Sequence, residues 1–364
     1  MQALLSSKPR NYTVQQKVKY RLGQVGTKLL GAVAPDLQAE LPREYNFDAH
    51  VFHKNFASTH YGIMIPDLPE PYRYLSFASV IGDVGATITK VSPKLTGLDQ
   101  ANIATLVHGT ALSTTRDAYQ IYDLKQQLQF QQSPFRIDFA EDSSLFEEEG
   151  TYRLVTNRTD LKVDLSLTPT DALTWFAHSN FYQHFSVLMR YSGSLTQQGQ
   201  TIEVTGLCTL EHWKSISVSM LPKQLLTHNL TLPLSTFSYQ VINLNEQEQL
   251  VLAYIGFAGE PAYTAVSYRH VDGTSIQYDK ACFEVVALKT ESLITPDGHS
   301  MEVPQSFRWV AHHQGEKVLE LLAIVDTPYC YGLAAGYVSS YQWIGEFKGH
   351  KAEGRGYLEF IDRR

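Results

Sequence analysis

From about residue 74 onward, apolar and polar residues alternate at period two in short segments separated by turn residues. Alternation of that kind puts one face of each segment in a core and the other outward, and it predicts antiparallel strands. The first half offers Tyr74–Ile81, Thr87–Val91, Ala118–Leu124, Phe135–Phe139, Tyr152–Thr156 and Leu161–Leu167, with the acidic stretch Glu141–Glu149 as its longest polar interruption. Phe181–Ser192, the polar turn Thr196–Gln200 and Thr201–Trp213 then read as a hairpin. A second series runs through Tyr239–Leu244, Leu250–Phe257, Tyr263–His270, Ser275–Leu288, Ser306–His312, Val318–Val325, Tyr337–Phe347 and Gly356–Ile361. Between its members stand the Asn, Asp, Gly and Pro residues of tight connections, as in Asp272-Gly273 and Pro296-Asp297-Gly298. So many strands with so few helical intervals predict an all-β chain of two successive antiparallel barrels, each of about eight strands.

The start of the chain has a different period. Val14, Val18, Leu22, Val25 and Leu29 recur at helical steps, so residues 13–31 are expected to form an amphipathic helix. It is a basic one: the first 35 residues hold six Lys and Arg and no acid, although the whole chain carries a net charge of -7. Such a helix can rest on an anionic membrane surface or pack on its own domain. Pro35–Pro42 reads as a linker. The expected organisation is 1–42 helix and linker, 43–215 first barrel and 216–364 second barrel.

Composition narrows the function. Apolar residues make up 43% of the 364 and charged residues 18%, with 21 Tyr, 17 Phe and 4 Trp, so a large core is available. The acidic balance and the lack of a basic stripe in the body of the chain argue against nucleic acid as a partner. Met1–Ser7 is too short an apolar run for a secretion signal, and no stretch has the length of a spanning helix, so a cytoplasmic protein is expected, with peripheral membrane contact through residues 13–31 as an open alternative. Cys208, Cys282 and Cys330 are widely spaced, which predicts buried free thiols rather than disulfides or a zinc site. His50 with His53, and His312 with His313, are weak metal candidates, because adjacent residues of a strand point to opposite faces. Nucleophile elbows, P-loops, zinc-protease helices and a complete dinucleotide fingerprint do not occur. Neither a metal nor a cofactor is expected.

The informative segment is Ser192–Trp213, which ends in Glu211-His212-Trp213. Alternation places Glu211 and Trp213 on one strand face and His212 on the other, so either the carboxyl or the imidazole can look into a cavity. A carboxyl beside an indole in a dry mouth would stay protonated and serve as a general acid, with His212 or His184 as a base. Ring faces for a hydrophobic substrate could come from Trp213, Tyr191, Trp175, Phe185 and Trp343, although such residues belong to a core more often than to a cavity wall.

Tyr191, Gly193, Val204, Gly206, Glu211, His212 and Trp213 together resemble the central hairpin of a tandem-lipocalin family. That family includes carotenoid 1,2-hydratase (hydroxyneurosporene synthase), AttH-like proteins and the fungal decalin-forming Diels-Alderases. Gly354, Gly356, Tyr357, Leu358 and Glu359 resemble its closing motif, which follows an aromatic strand with Tyr341 and Trp343. The interval from the motif acid to the final Trp is one residue shorter than in many members, and Lys214 stands where a small residue often follows. The resemblance implies two lipocalin-like barrels, an apolar pocket in or between them, and cofactor-free hydration, isomerisation or cyclisation of an isoprenoid or polyketide. A non-catalytic lipid or isoprenoid carrier uses the same pocket and is the alternative; a filled, purely structural tandem barrel is the third reading.

Overall fold

A computed structural model describes residues 32–49, 56–216, 234–257 and 260–364. The helix expected over residues 13–31 lies outside the described residues, as do His50 and His53. The chain is nearly all β and forms two large barrel-like sheets, one nearly closed and one a half-barrel.

The first sheet contains β1 (Ser58–Ile65), β2 (Leu75–Gly82), β3 (Ile103–Gly109), β4 (Tyr119–Asp123), β5 (Leu128–Gln131) and β6 (Arg136–Phe139). It continues with β7 (Ser143–Glu148), β8 (Thr151–Asn157), β9 (Leu161–His178), β10 (Tyr182–Gln197) and β11 (Gln200–Ser215). The second contains β12 (Leu234–Asn243), β13 (Glu248–Phe257), β14 (Glu260–His270), β15 (Ser275–Gln277) and β16 (Lys280–Leu288). After a small separate hairpin of β17 (Leu293–Ile294) and β18 (Ser300–Met301) come β19 (Pro304–His313), β20 (Glu316–Val325), β21 (Cys330–Leu333), β22 (Gly336–Phe347) and β23 (His350–Asp362). The sheets have 11 and 10 strands, more than the sequence pattern suggested. Both are assembled alike: neighbouring strands pair in antiparallel meanders, and the first strand of each sheet pairs with its last, β1 with β11 and β12 with β23.

The hairpin of β10 and β11 turns on Gln198 and Gly199, whose φ values of 53° and 77° are those of a two-residue primed turn. Its strands run further into the expected polar turn than the sequence indicated. Other expectations change as well. Thr87–Val91 is not a strand; Thr87–Thr89 forms a 3-10 turn, and Ile88 is buried against the second sheet, whose Ala335 N–H donates to the Ile88 carbonyl at 3.0 Å. The acidic stretch is no interruption, because Ser143–Glu148 forms β7 with Ser143 and Leu145 buried and its acids toward solvent. Pro35–Pro42 is not a free linker: Pro35–Glu40 is a 3-10 helix, Val33 N–H donates to Phe176 O at 3.0 Å, and Trp175 Nε1–H donates to Pro42 O at 2.9 Å. The three thiols are free, but Cys282 is exposed on β16 while Cys208 and Cys330 are buried.

Packing of one sheet on the other decides the position of the site. Side chains of β1, β10 and β11 alternate between the interior of the first sheet (Tyr61, Phe185, Leu210) and the second sheet (Met64, Ser186, Glu211). Every residue of β1 and β2 is therefore buried, on both faces. The second sheet answers with Tyr239, Phe237 and Ile361, and one apolar cluster runs across the contact from Met64 and Val80 to Tyr239 and Leu358.

Candidate functional site

Three neighbouring strands of the first sheet converge on one carboxyl. In β11, Glu211 is paired across to Gly62 of β1 and Ser186 of β10, while Trp213 lies between His60 and His184. Alternation sends His60, His184, Glu211 and Trp213 to the same face, toward the second sheet. His184 Nε2 lies 2.5 Å from Glu211 Oε1, and His184 Nδ1 lies 3.0 Å from the Tyr182 hydroxyl. A hydrogen on Nε2 satisfies both contacts, since Nδ1 is then free to accept from Tyr182. His60 Nδ1 lies 2.5 Å from the Ser79 carbonyl, which can only accept, so in the neutral ring Nε2 is the bare nitrogen; it stands 3.8 Å from Glu211 Oε1. Gly62 makes this crowding possible, because a Cβ there would come within 2.8 Å of His60 Nε2. Trp213 stacks on His60 at 5.6 Å and 11°.

The second sheet contributes a second carboxyl. Glu359 of β23 is paired with Tyr239 of β12, and its Oε1 accepts from the Tyr357 hydroxyl at 3.0 Å. Glu211 and Glu359 line one partly enclosed cleft of about 130 Å³ between the sheets. Tyr182, His60, His184 and Trp213 share its wall, and the rest is mostly apolar, with Val80, Ile88, Phe237, Ile255, Leu333 and Ile361.

Burial acts on the two acids with different results. For Glu211 it favours the neutral form, but His184, by charge and by hydrogen bond, then His60 and the Tyr239 hydroxyl, outweigh it and hold the carboxyl below its ordinary value. Its Oε2 has no hydrogen-bond partner of ordinary length. For Glu359 burial and the negative charge of Glu211 act together and raise the pKa well above the ordinary value, against the Tyr357 hydrogen bond. The two environments push the carboxyls apart, Glu211 toward its ionised form and Glu359 toward its protonated form. The sequence predicted Glu211 as the neutral acid; the histidines beside it favour its ionised form instead.

A buried cation balances the ionised acid. Arg269 of β14 is fully buried, and its Nη1 donates to Ser186 Oγ at 2.9 Å while Nη2 donates to Gln249 Oε1. Ser186 also faces the Tyr239 hydroxyl at 3.5 Å, so Ser186 and Tyr239 lie between the guanidinium and Glu211. Burial lowers the Arg269 pKa to about 10, against the pull of Tyr239 and Glu211, and leaves it charged at neutral pH.

Of the residues singled out from the sequence, Glu211, His184 and Trp213 come together in the cleft. His212 does not: it points into the first sheet, with Nδ1 at 2.9 Å from the His60 carbonyl and its ring against Tyr61, Phe47 and Phe185. Phe185, Trp175 and Tyr191 belong to the core of the first sheet, and Trp343 to that of the second. They do not line this cleft, for the reason alternation supplies: Phe185 is adjacent to His184, and Tyr191 is five residues beyond Ser186, so both face the other way. His60, Tyr182 and Tyr239 went unnoticed in the sequence. His60 sits in β1, which is buried on both faces and whose sequence does not alternate. Glu359 was visible in the closing motif but had no role until the sheets met. Among the described residues, no three of His, Cys, Asp and Glu are disposed to hold a metal ion.

Buried neutral histidines give the fold an acid-sensitive limb. Burial lowers the His60 pKa to about 4 and that of His108, in the first sheet, to about 3, from 6.5. Each is protonated in the unfolded chain but neutral in the folded one as pH falls from 6.5, so stability present above that pH is lost on acidification. Glu359 has the opposite sign, its folded pKa being raised, and regains stability as pH falls toward 4.5. Each group changes stability by about 1.4 kcal/mol per pH unit at most. Denaturant midpoints between pH 6.5 and 5 are expected to fall in the unmodified chain, to fall less in His108→Gln and more in Glu359→Gln. Equal slopes in all three would remove this assignment.

Fold and site define a tandem β-barrel protein with a two-carboxyl cleft between its sheets. The chain belongs to the Family of unknown function (DUF6670), whose sequence profile matches residues 78–364. No curated protein matches it in sequence. An AttH-like protein of Nitrosomonas europaea has a similar structure over 92% of this chain and 100% of its own, with a TM-score of 0.58 and 17% identity. This bears out the AttH-like part of the resemblance as a likeness of fold. CghA in a crystal structure with Sch210972 aligns over 84% of this chain and 88% of its own, with a TM-score of 0.48 and 7% identity, too distant to argue from. No helix among the described residues is long and apolar enough to cross a membrane.

Proposed function

We propose that the protein is a cofactor-independent acid-base catalyst, a hydratase, isomerase or cyclase, acting on a hydrophobic isoprenoid- or polyketide-like small molecule in the cleft. The observation that carries this reading is the pair of buried carboxyls, Glu211 and Glu359, lining a single mostly apolar cavity in environments that favour opposite protonation states. Environments that push two titratable groups apart are how proteins keep a base and an acid available together near neutral pH. In this reading Glu211, oriented by His184, accepts a proton, Glu359 supplies one or a hydrogen bond to the other side of the substrate, and Trp213 bounds the cleft. Hydration of a carotenoid-like alkene and cyclisation of a polyketide are two forms of it. The division of the chain into 43–215 and 216–364, which we also propose, gives each unit one of the two acids.

A carrier is the second reading, and the apolar wall favours it. A carrier, however, has no use for two buried carboxyls and two imidazoles in its wall, each of which costs solvation. The two readings separate in D2O. With an apolar metabolite extract, the unmodified protein is expected to change or deuterate a compound that Glu211→Gln leaves untouched. Retention of a compound, unlabelled, by both proteins would favour carriage and overturn catalysis.

Peripheral membrane contact through residues 13–31 is a further part of this proposal, supported by their basic, acid-free composition. Pelleting with anionic vesicles is expected for the full chain and is expected to weaken without those residues; no pelleting of the full chain would end it.

A further inference from the structure

We infer that the substrate of this cleft carries an enolisable carbonyl group, whose α-proton goes to Glu211 and whose oxygen receives the hydrogen held by Glu359. The inference rests on the proposed acid-base function and narrows it. Its ground is the placement of the two acids: they project from the closing strands of different sheets, Glu211 on β11 and Glu359 on β23, into one cavity. A substrate between them meets a base on one wall and a hydrogen-bond donor on the other.

The chemistry of each wall selects the carbonyl over an isolated alkene. Protonating an isolated alkene makes a carbocation, which demands a strong acid. Glu359 is the reverse, a carboxyl made weaker by burial and by the charge of Glu211. A weak, neutral, desolvated carboxylic acid is matched to an oxygen that becomes an enolate, since its hydrogen bond strengthens as charge develops there. The Tyr357 hydroxyl occupies Glu359 Oε1, which leaves the acid's proton to the other oxygen. On the wall supplied by the first sheet, Glu211 is held toward its ionised form, with Oε2 free of a full hydrogen bond and His184 on Oε1, and is suited to act as a base rather than an acid. A cavity of about 130 Å³ matches one six-membered ring, close to the roughly 150 Å³ cavity that admits benzene.

The step balances without an added oxidant or reductant. The C–H pair at the α-carbon becomes the new C=C bond, the carbonyl π pair moves to oxygen under Glu359, and the proton rests on Glu211. Return of that proton to the γ-carbon of a β,γ-unsaturated ketone gives the conjugated isomer and restores both acids.

Cyclohex-3-en-1-one is the probe, its conversion to cyclohex-2-en-1-one read by ultraviolet absorbance, with 1-methylcyclohexene in D2O as the alkene comparison and ligand-observed NMR reporting binding. The unmodified protein is expected to isomerise the ketone at least about a hundredfold faster than buffer. Glu211→Gln and Glu359→Leu are expected to fall to near background with unchanged circular dichroism, and Glu359→Gln to retain more than Glu359→Leu, because its amide N–H still donates. Hydration or deuteration of the alkene with the ketone untouched would overturn the carbonyl assignment and leave the acid-base function standing. A ketone that binds while neither probe reacts would overturn both.

Discussion

Glu211→Gln is expected to lower kcat by about 10²–10⁴-fold while ligand affinity stays within about tenfold. The amide keeps the shape of the carboxyl and a polar contact to His184, so the wall of the cleft is preserved; what goes is the lone pair that accepts the proton. A second readout follows from the coupling of the two acids. The negative charge of Glu211 is one of the causes that raise Glu359, so its removal is expected to lower the Glu359 pKa. Activity of the unmodified protein is expected to decline at the alkaline end as Glu359 loses its proton, and in Glu211→Gln the residual activity should decline at lower pH. The pH-rate profiles of the two proteins check both points. Unaltered turnover in Glu211→Gln would take the residue out of the mechanism.

Arg269→Met is expected to be the most damaging substitution away from the cleft, costing about 3–5 kcal/mol of stability in denaturant unfolding. Its guanidinium is fully buried at the contact between the sheets, and it is the cation that balances Glu211 through Ser186 and Tyr239. Without it the carboxylate is a buried charge with less compensation, and it can relieve that cost by taking up a proton. Arg269→Met is therefore also expected to lose activity at neutral pH and to regain part of it at higher pH, where Glu211 ionises again. Glu211→Gln in the same chain removes the charge that needed balancing, so the double variant is expected to be more stable than the sum of the two singles predicts, by about 0.5–3 kcal/mol. Strict additivity would show that the two charges do not act on one another. Recovery of activity with pH distinguishes this electrostatic role from loss of packing, which pH would not mend.

What could be read from the linear chain, and what could not, divides along the faces of the strands. Strands with one face in a core announced themselves, as in Tyr152–Thr156 or Val318–Val325, because burial on one side writes a period of two. β1 and β3, covered on both faces, stayed hidden, whereas β2, also covered on both faces, was legible because Leu75, Phe77 and Ile81 still alternate with smaller residues such as Ser76 and Ala78. Glu211, at the end of a long apolar strand, was noticed for being out of place. His60, its partner on the neighbouring strand, lay in a segment with no pattern. The aromatic residues show the same limit: a tryptophan lines a cavity or fills a core according to what is opposite, and Trp213 meets a cleft while Trp175 and Trp343 meet cores.

Protonation states were still further from the sequence. Alternation along β11 was enough to place Glu211 opposite to His212 in direction, and the hairpin motif was enough to single out Glu211, while Glu359 stood in the closing motif without a role. Which acid keeps its proton depends on groups from several strands: His184 on β10, His60 on β1 and the Tyr239 hydroxyl on β12 act on Glu211, and Glu211 on β11 acts on Glu359. The direction of a side chain is a local property, set by the pleat of its own strand. An electrostatic environment is a sum over neighbours that only the packing of the two sheets brings within range.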